Sequence, residues 1–281
     1  MPPSLLYTPE TSPEAASMDR RAYDTHHDLD ARHFWRVGKR RLILDWLDRY
    51  WHATEASRIL DVGGCASLIA EDLSARGELT VVEPDRQTID EVRDRVSGRF
   101  EMLEGSLPDE LPPGPFDLIT LFDVLEHVDD DRSSLAALYS RLRPGGTFVL
   151  TVPALAWLWS DHDVVLEHRR RYRRAEIAAL LVDAGFTIRR LSYYTTLLFP
   201  AVVASRLKPR WPRNRAGQAG QAGQAGQAGH AGRDERLEYK VSVPASPVNA
   251  LMAGVMTVER KLLGVVDLPI GSSLIAVAHR P

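Results

Sequence analysis

The stretch Leu60-Asp61-Val62-Gly63-Gly64-Cys65-Ala66-Ser67 (LDVGGCAS, residues 60–67) is the most informative in the chain. It closes an apolar run of strand length, RILDV (58–62), and passes through small residues into a helical pattern that begins near Leu68. A strand that turns on small residues into a helix lets a ligand approach backbone N–H groups, and the helix N-terminus there favours negative charge. The run is not G-x-G-x-x-G, which counts against a dinucleotide site. Taken alone it reads either as a generic nucleotide-site turn or as a plain turn between strand and helix.

Beyond it, further apolar runs alternate with helical patterns: LTVVE (79–83), FEMLE (100–104), DLITLFD (117–123) and TFVLTVP (147–153), the last preceded by a helix turn, LRPGG (142–146). Their near-continuous apolarity suits strands covered on both faces, with the helical segments as right-handed crossovers. A helix over 174–184 ends at Gly185, a sixth strand is expected near 186–194, and SSLIAVAH (272–279) supplies a last one. The expected fold is α/β: a doubly wound, Rossmann-like parallel sheet.

The flanks divide the chain further. Residues 1–20, rich in Pro, Ser and Glu, read as a disordered tail. Apolar positions from Phe34 to Tyr50 recur at helical spacing, giving an N-terminal helical cover over 21–55 ahead of the core at 56–194. Residues 195–270 read as a helical insertion. Within it GQAGQAGQAGQAG (217–229) offers nothing to a core, so 212–235 is expected to be a flexible linker. Residues 271–281 then return to the core as its last strand.

Composition excludes several classes. With 35 basic residues against 38 acidic the net charge is −3, which argues against a nucleic-acid partner held by overall basicity. One cysteine, Cys65, allows neither an internal disulfide nor a cysteine zinc cluster. The first residues lack a basic n-region before an apolar run, so no secretory signal is expected and the protein is placed in the cytoplasm. The uncharged stretch 241–258 is interrupted by Pro244, Pro247, Asn249 and Gly254 and does not read as a membrane span. The apolar segments 195–207 and 241–266 read as a pocket cap with a partner surface, leaving a homodimer face or a peripheral membrane contact open.

Twenty residues beyond Gly63, Glu83 closes the second strand in VVEPD, where a carboxylate can accept hydrogen bonds from both hydroxyls of a ribose. In sequential order LDVGGCAS, VVEPD, EGSLP (104–108), FDLITLFDVLEHV (116–128) and LRPGGTFVLTVP (142–153) resemble the motifs of the class I S-adenosylmethionine-dependent methyltransferases, in particular the group that includes ubiquinone-biosynthesis methyltransferases. The resemblance covers roughly 56–194 and implies a seven-stranded sheet with an antiparallel last strand. It also implies S-adenosylmethionine as cofactor. Asp61 resembles the acidic residue that orients the glycine turn, and Gly63, Gly64 and Cys65 form the turn against the methionine moiety. Glu83, followed by Pro84, resembles the ribose ligand, Ser106 and Leu107 the adenine contacts, and Phe122 and Asp123 open the segment beside the sulfonium. Trp35 and Arg36 in HFWR resemble a covering helix, Trp35 packing on the cofactor and Arg36 reaching its carboxylate. Cys65 and Ser67 stand where the family's usual run has its second and third glycines.

The implied reaction is methyl transfer to a small or lipophilic molecule, at oxygen in the first reading, with nitrogen and carbon left open. His127 in LEHV is the first candidate base, with a helix-start packing role as its rival. His162 and His168, in PALAWLWSDHDVVLEHRRRYRR (153–174), are acid/base or substrate-orienting candidates; Asp161, Asp163 and these histidines fit no tight metal spacing, so no metal is expected. Trp157 and Trp159 are expected to wall a pocket, and Arg169, Arg170, Arg171, Arg173 and Arg174 read as an anion site or as a solvated helix start. A non-catalytic S-adenosylmethionine-binding or scaffold protein is the alternative, motivated by the altered glycine run. A nicotinamide-dependent oxidoreductase fits less well, because it leaves FDVLEHV and LRPGG unexplained.

Overall fold

A computed structural model describes residues 28–64, 67–96, 99–207 and 242–281. The tail at 1–20, the linker at 212–235 and Cys65 lie outside the described residues. In chain order the elements are α1 (Phe34–Tyr50), β1 (Arg58–Val62), α2 (Leu68–Ser74), β2 (Glu78–Glu83), α3 (Arg86–Val96), β3 (Glu101–Glu104), β4 (Phe116–Phe122), α4 (Asp131–Arg141), β5 (Leu142–Pro153), α5 (Asp161–Val165), α6 (Arg174–Asp183), β6 (Thr187–Tyr194), α7 (Phe199–Leu207), α8 (Ser246–Leu263) and β7 (Ser273–His279).

The strands form one seven-stranded sheet in the order β3-β2-β1-β4-β5-β7-β6. Neighbours from β3 to β5 are parallel, and β7 runs antiparallel between β5 and β6. The chain order reverses direction at β1 and β4, so the loops after these strands diverge and leave a crevice at their carboxyl ends. Period-two alternation divides the core. Leu60, Val62, Ile119, Leu121, Phe148, Leu150 and Ala276 pack under Leu135, Leu138, Ile177 and Leu181 of α4 and α6. Ile59, Val81, Leu118, Val149, Ile275 and Val277 pack on the other face against Ile43, Trp46, Leu47, Leu73 and Leu263 of α1, α2 and α8.

The cover is fixed to this second layer. Gly38 of α1 faces Met256 of α8 so closely that a Cβ there would lie 2.8 Å from the Met256 Cβ. Asn249 of α8 accepts from the Phe34 N–H (3.0 Å) and donates to the Arg32 carbonyl (2.8 Å), bridging the break between the helical turn at 28–32 and α1. No helix among the described residues is long and apolar enough to cross a membrane.

The segment LRPGG is not a helix turn. Leu142–Pro153 is one extended strand, with a register irregularity against β4 between Phe116 and Leu118. Pro144 cannot continue α4, and the freed backbone pairs elsewhere: the Gly145 N–H donates to the Arg280 carbonyl (2.8 Å) and the Arg280 N–H to that of Gly146 (3.1 Å). Gly145 takes the left-handed conformation this path requires, at φ 74°.

Candidate cofactor and acceptor site

A cavity of about 1140 Å³ opens at the carboxyl ends of β1, β4, β5 and β6. α1 walls one side, α7 and the start of α8 another, and residues 162–171 a third. The residues that leave this sheet edge are bent sharply. Gly63, Asp123, Leu155 and Thr195, each just after β1, β4, β5 or β6, all have positive φ, as does Glu167 in the third wall. For the non-glycine residues this costs roughly 1–2 kcal/mol each, and such strain concentrates where chain direction serves a site.

The glycine turn forms one end. A Cβ on Gly63 would lie 2.5 Å from Val124 Cγ2 and one on Gly64 only 1.8 Å from Asp61 Oδ2, so neither position admits a side chain without displacement. Asp61 is fully buried behind the turn; its Oδ1 accepts from the Thr120 hydroxyl (2.6 Å), and its Oδ2 has no hydrogen-bond partner among the described residues. Burial pushes the Asp61 carboxyl up to about 6. Asp30 reaches in from the helical turn, accepting from Arg36 (2.6 Å) and from the Leu68 N–H that opens α2 (3.2 Å).

At the end of β4, Asp123 accepts from Lys39 Nζ (2.5 Å) and the Thr151 hydroxyl (2.9 Å). Burial alone would raise its carboxyl, but Lys39 and Thr151 more than offset this and lower it. Trp35 lies beside Lys39, 5.5 Å from ring centroid to Nζ, and its indole N–H donates to Thr195 (3.3 Å).

Next to Asp123 lies a cluster of Glu126, His127 and His168, whose ligating atoms all fall within 4.8 Å of one another. Glu126 is fully buried, and neither carboxylate oxygen has a hydrogen-bond partner among the described residues. Burial, with Asp123 nearby, raises its carboxyl well above the usual range. His168 Nδ1 meets Asp163 Oδ1 at 3.0 Å, and Arg171 Nε donates to the same oxygen at 2.7 Å. Burial opposes ionisation of Asp163, yet these bonds hold its carboxyl well below the ordinary value. An ionised acceptor requires His168 to donate from Nδ1, leaving Nε2 turned toward Glu126 Oε1 at 4.0 Å. Burial lowers His127, and burial with Arg206 lowers His162 to about 4, so His162 is a neutral imidazole at neutral pH.

Of the residues expected from sequence, Trp35, Arg36, Gly63, Gly64, Phe122, Asp123, His127, His162 and His168 line this one cavity. Asp61 stands behind its glycine turn. Glu83, Pro84, Ser106 and Leu107 do not line it: Glu83 and Pro84 mark the carboxyl end of β2, and the exposed Ser106 donates from its hydroxyl to Glu110 (2.8 Å). His127 is not at a helix start but in the turn over 125–127, ahead of α4, which Asp130 caps through the Ser133 N–H (3.0 Å). Trp157 and Trp159 are exposed and stand outside the cavity wall.

The arginine run does not converge on an anion site. Arg169 binds the His127 carbonyl and Asp129, Arg170 pairs with Asp131, Arg171 with Asp163 and Arg174 with Asp267. The Arg173 N–H donates to Glu176 at the start of α6. Paired carboxylates and carbonyls spread these side chains along the segment, and only Arg171 of the run reaches the cavity. Sequence reasoning missed Lys39, Glu126 and the Asp163–His168 contact. Glu126 was legible as an acid beside the candidate His127; the other two join residues far apart or loop-borne, with no periodic signal.

The chain matches the family model described as a methyltransferase domain over residues 32–191, more than half its length. It belongs to the class I S-adenosylmethionine-dependent methyltransferases. It is 31% identical over 101 residues to the mitochondrial ubiquinone biosynthesis O-methyltransferase of Schizosaccharomyces pombe, covering 34% of this chain and 37% of that protein. It is 28% identical over 155 residues to the ubiquinone biosynthesis O-methyltransferase of Paramagnetospirillum magneticum, covering 49% and 62%. The match thus spans between about a third and three fifths of these methyltransferases' own length. The fold is shared with a protein solved in complex with the Haloferax volcanii Trm112 methyltransferase activator, at TM-score 0.54 and 15% identity over 95% of this chain and 94% of that one.

The residues present fit the methyltransferase cofactor. The side-chain-free cradle at Gly63 and Gly64, with the unpartnered Asp61 oxygen behind it, forms one end of the cavity.

Proposed function

We propose that this chain is an active methyltransferase that methylates an oxygen atom of a small, largely apolar acceptor. One observation carries the reading: the glycine turn, a buried carboxylate–imidazole cluster and an apolar helical wall share a single cavity. Bound S-adenosylmethionine supplies a methyl group on a positively charged sulfur, which a nucleophile displaces in line. Gly63, Gly64 and Ser67 hold the cofactor's amino-acid end, with Asp61 fixing the turn from behind. Phe122 and Asp123 set an apolar wall and a negative charge beside the reacting centre, and Glu83 takes the ribose.

The acceptor end is formed by Leu198, Ala201 and Val202 at α7, Val248 and Met252 of α8, and Val165. Such a wall selects an apolar body and excludes water, which strengthens every polar contact inside. His127 and His162, kept neutral by burial, accept hydrogen bonds from a hydroxyl rather than repel a cationic sulfur. A hydroxyl must lose its proton as it reacts, and the cluster at Glu126 and His168 is placed to favour that loss. Most of the rate then comes from holding oxygen and methyl in contact and in line.

Incubation with methyl-labelled S-adenosylmethionine and matched apolar phenols, anilines and thiophenols, read by mass spectrometry, tests this. A labelled methyl ether is expected. Methylation confined to nitrogen or sulfur would overturn the oxygen assignment, and cofactor binding without any product would favour a non-catalytic relative.

A further inference from the structure

We propose that Glu259 of α8, far along the chain from the glycine turn, is a positioning residue of the cavity: acting through Thr195, it holds the Trp35 ring of α1 in the cavity wall. The first ground is its burial. Met256, Glu259 and Leu263 are the buried positions of α8, spaced as one face of the helix, and Glu259 is 1% exposed. A glutamate on an otherwise apolar face costs desolvation that an apolar side chain does not, so its place there needs partners. Burial raises its carboxyl, while the N–H groups of Leu197, Thr195 and Thr196 favour the ionised form.

The second ground is what the carboxylate holds. Its Oε1 accepts from the Thr195 N–H and its Oε2 from the Leu197 N–H (2.7 Å), so the two oxygens clamp the turn that leaves β6. Thr195 has φ 60°, a conformation that a β-branched residue rarely adopts and keeps only where its surroundings dictate it. The bonds from Glu259 supply that constraint. Thr196 is tied as well, its hydroxyl donating to the Ile270 carbonyl.

The third ground is where the turn leads. Thr195 is buried and lines the cavity, and its hydroxyl accepts from the Trp35 indole N–H (3.3 Å). Trp35 lines the same cavity, beside Lys39, whereas Glu259 does not line it. Glutamine at 259 would keep one acceptor but set its own N–H donors against the second backbone N–H, releasing the turn. This role needs the cofactor site described above and no particular acceptor.

The test compares Glu259→Gln, Thr195→Val and Trp35→Phe in the full chain with the natural protein. Thr195→Val keeps the branched shape and the bonds to Glu259 but removes the acceptor for Trp35. In a proton–nitrogen correlation spectrum without ligand, the Trp35 indole peak, identified by its loss in Trp35→Phe, is expected to move in both other variants. That of Trp159, exposed and outside the cavity wall, is expected to stay. Calorimetric titration with S-adenosylhomocysteine should show affinity falling about five-fold or more in Glu259→Gln, and less than about two-fold when Trp35→Phe is already present. A glutamate that served stability alone would cost the same in both backgrounds. Because Glu259→Gln could fail to fold, hydrogen exchange of the natural protein gives a further readout. Coupling is reciprocal, so S-adenosylhomocysteine should slow exchange of the Thr195 and Leu197 amides. An unmoved Trp35 peak, equal losses in both backgrounds, or exchange at 195 and 197 indifferent to the ligand would overturn the role. The indole readout needs no ligand, so it separates failure of this role from failure of the natural protein to bind S-adenosylhomocysteine.

Discussion

Lys39 Nζ stands 2.5 Å from Asp123 Oδ2, joining the middle of the covering helix α1 to the carboxyl end of β4. Both side chains are largely withdrawn from water, at 15% and 30% exposure, so the pair is screened less than a surface ion pair. It fixes the cover over the same strand end from which Glu126 and His127 follow.

Replacing Lys39 by Met should therefore lower unfolding stability at neutral pH by about 1–3 kcal/mol, seen as an earlier urea midpoint at constant slope. Lys39 and Thr151 lower the Asp123 carboxyl in the folded state, so their stabilisation is present above the ordinary aspartate value and lost as pH falls through the folded one. The difference between variant and natural protein should shrink in acid. A constant difference across pH would remove the ion pair as its cause.

Asp61 predicts the opposite sign. Its folded value is raised from 3.8 to about 6, so its carboxyl favours the folded state fully only below pH 4, and that advantage is lost as pH rises through 6. Asp61→Asn, which cannot ionise, should gain on the natural protein by on the order of 3 kcal/mol between pH 4 and pH 7. Parallel stability curves for the two proteins over that interval would contradict the burial account.

Asp163 ties Ser160, His168 and Arg171 together from a fully buried position. Asp163→Asn leaves the Arg171 charge buried with a weaker partner, and a loss of about 3–5 kcal/mol is expected in chemical denaturation. Arg171→Met in the same chain should restore part of it, since the pair then disappears as a unit. A double variant no better than the single one would show that Asp163 acts through other contacts.

The sheet was readable because its runs are apolar on both faces: 58–62 and 147–153 fall in strands, 117–123 does so up to Phe122, and Gly185, with φ 98°, ends its helix as the sequence implies. LRPGG misled because the proline and glycines that stop α4 serve equally well in an irregular extended strand, and its pairing partner at Arg280 lies far along the chain. The glycine turn and His127 were visible as local motifs. Lys39 and the Asp163–His168 bond were not, because their meaning depends on burial and on contacts across the fold; Glu126 could be read as an acid beside His127 but not as buried and unpartnered. The arginine run shows the converse: a conspicuous local charge pattern that tertiary pairing disperses.

Glu83 tests the cofactor end away from the cavity wall. Glu83→Ala should weaken S-adenosylhomocysteine binding by about 1–3 kcal/mol if its carboxylate takes the ribose hydroxyls. The position closes β2, so the fold should persist, as judged by an unchanged far-ultraviolet circular dichroism spectrum. Unaltered affinity would take Glu83 out of the site.

The glycine turn at Gly63 and Gly64 is the expected seat of the methyl donor. Calorimetric titration of the purified chain with S-adenosylmethionine, S-adenosylhomocysteine and NAD tests it directly. One-to-one binding of both adenosyl ligands, without binding of NAD, is the predicted result. Failure of both adenosyl ligands to bind would contradict it.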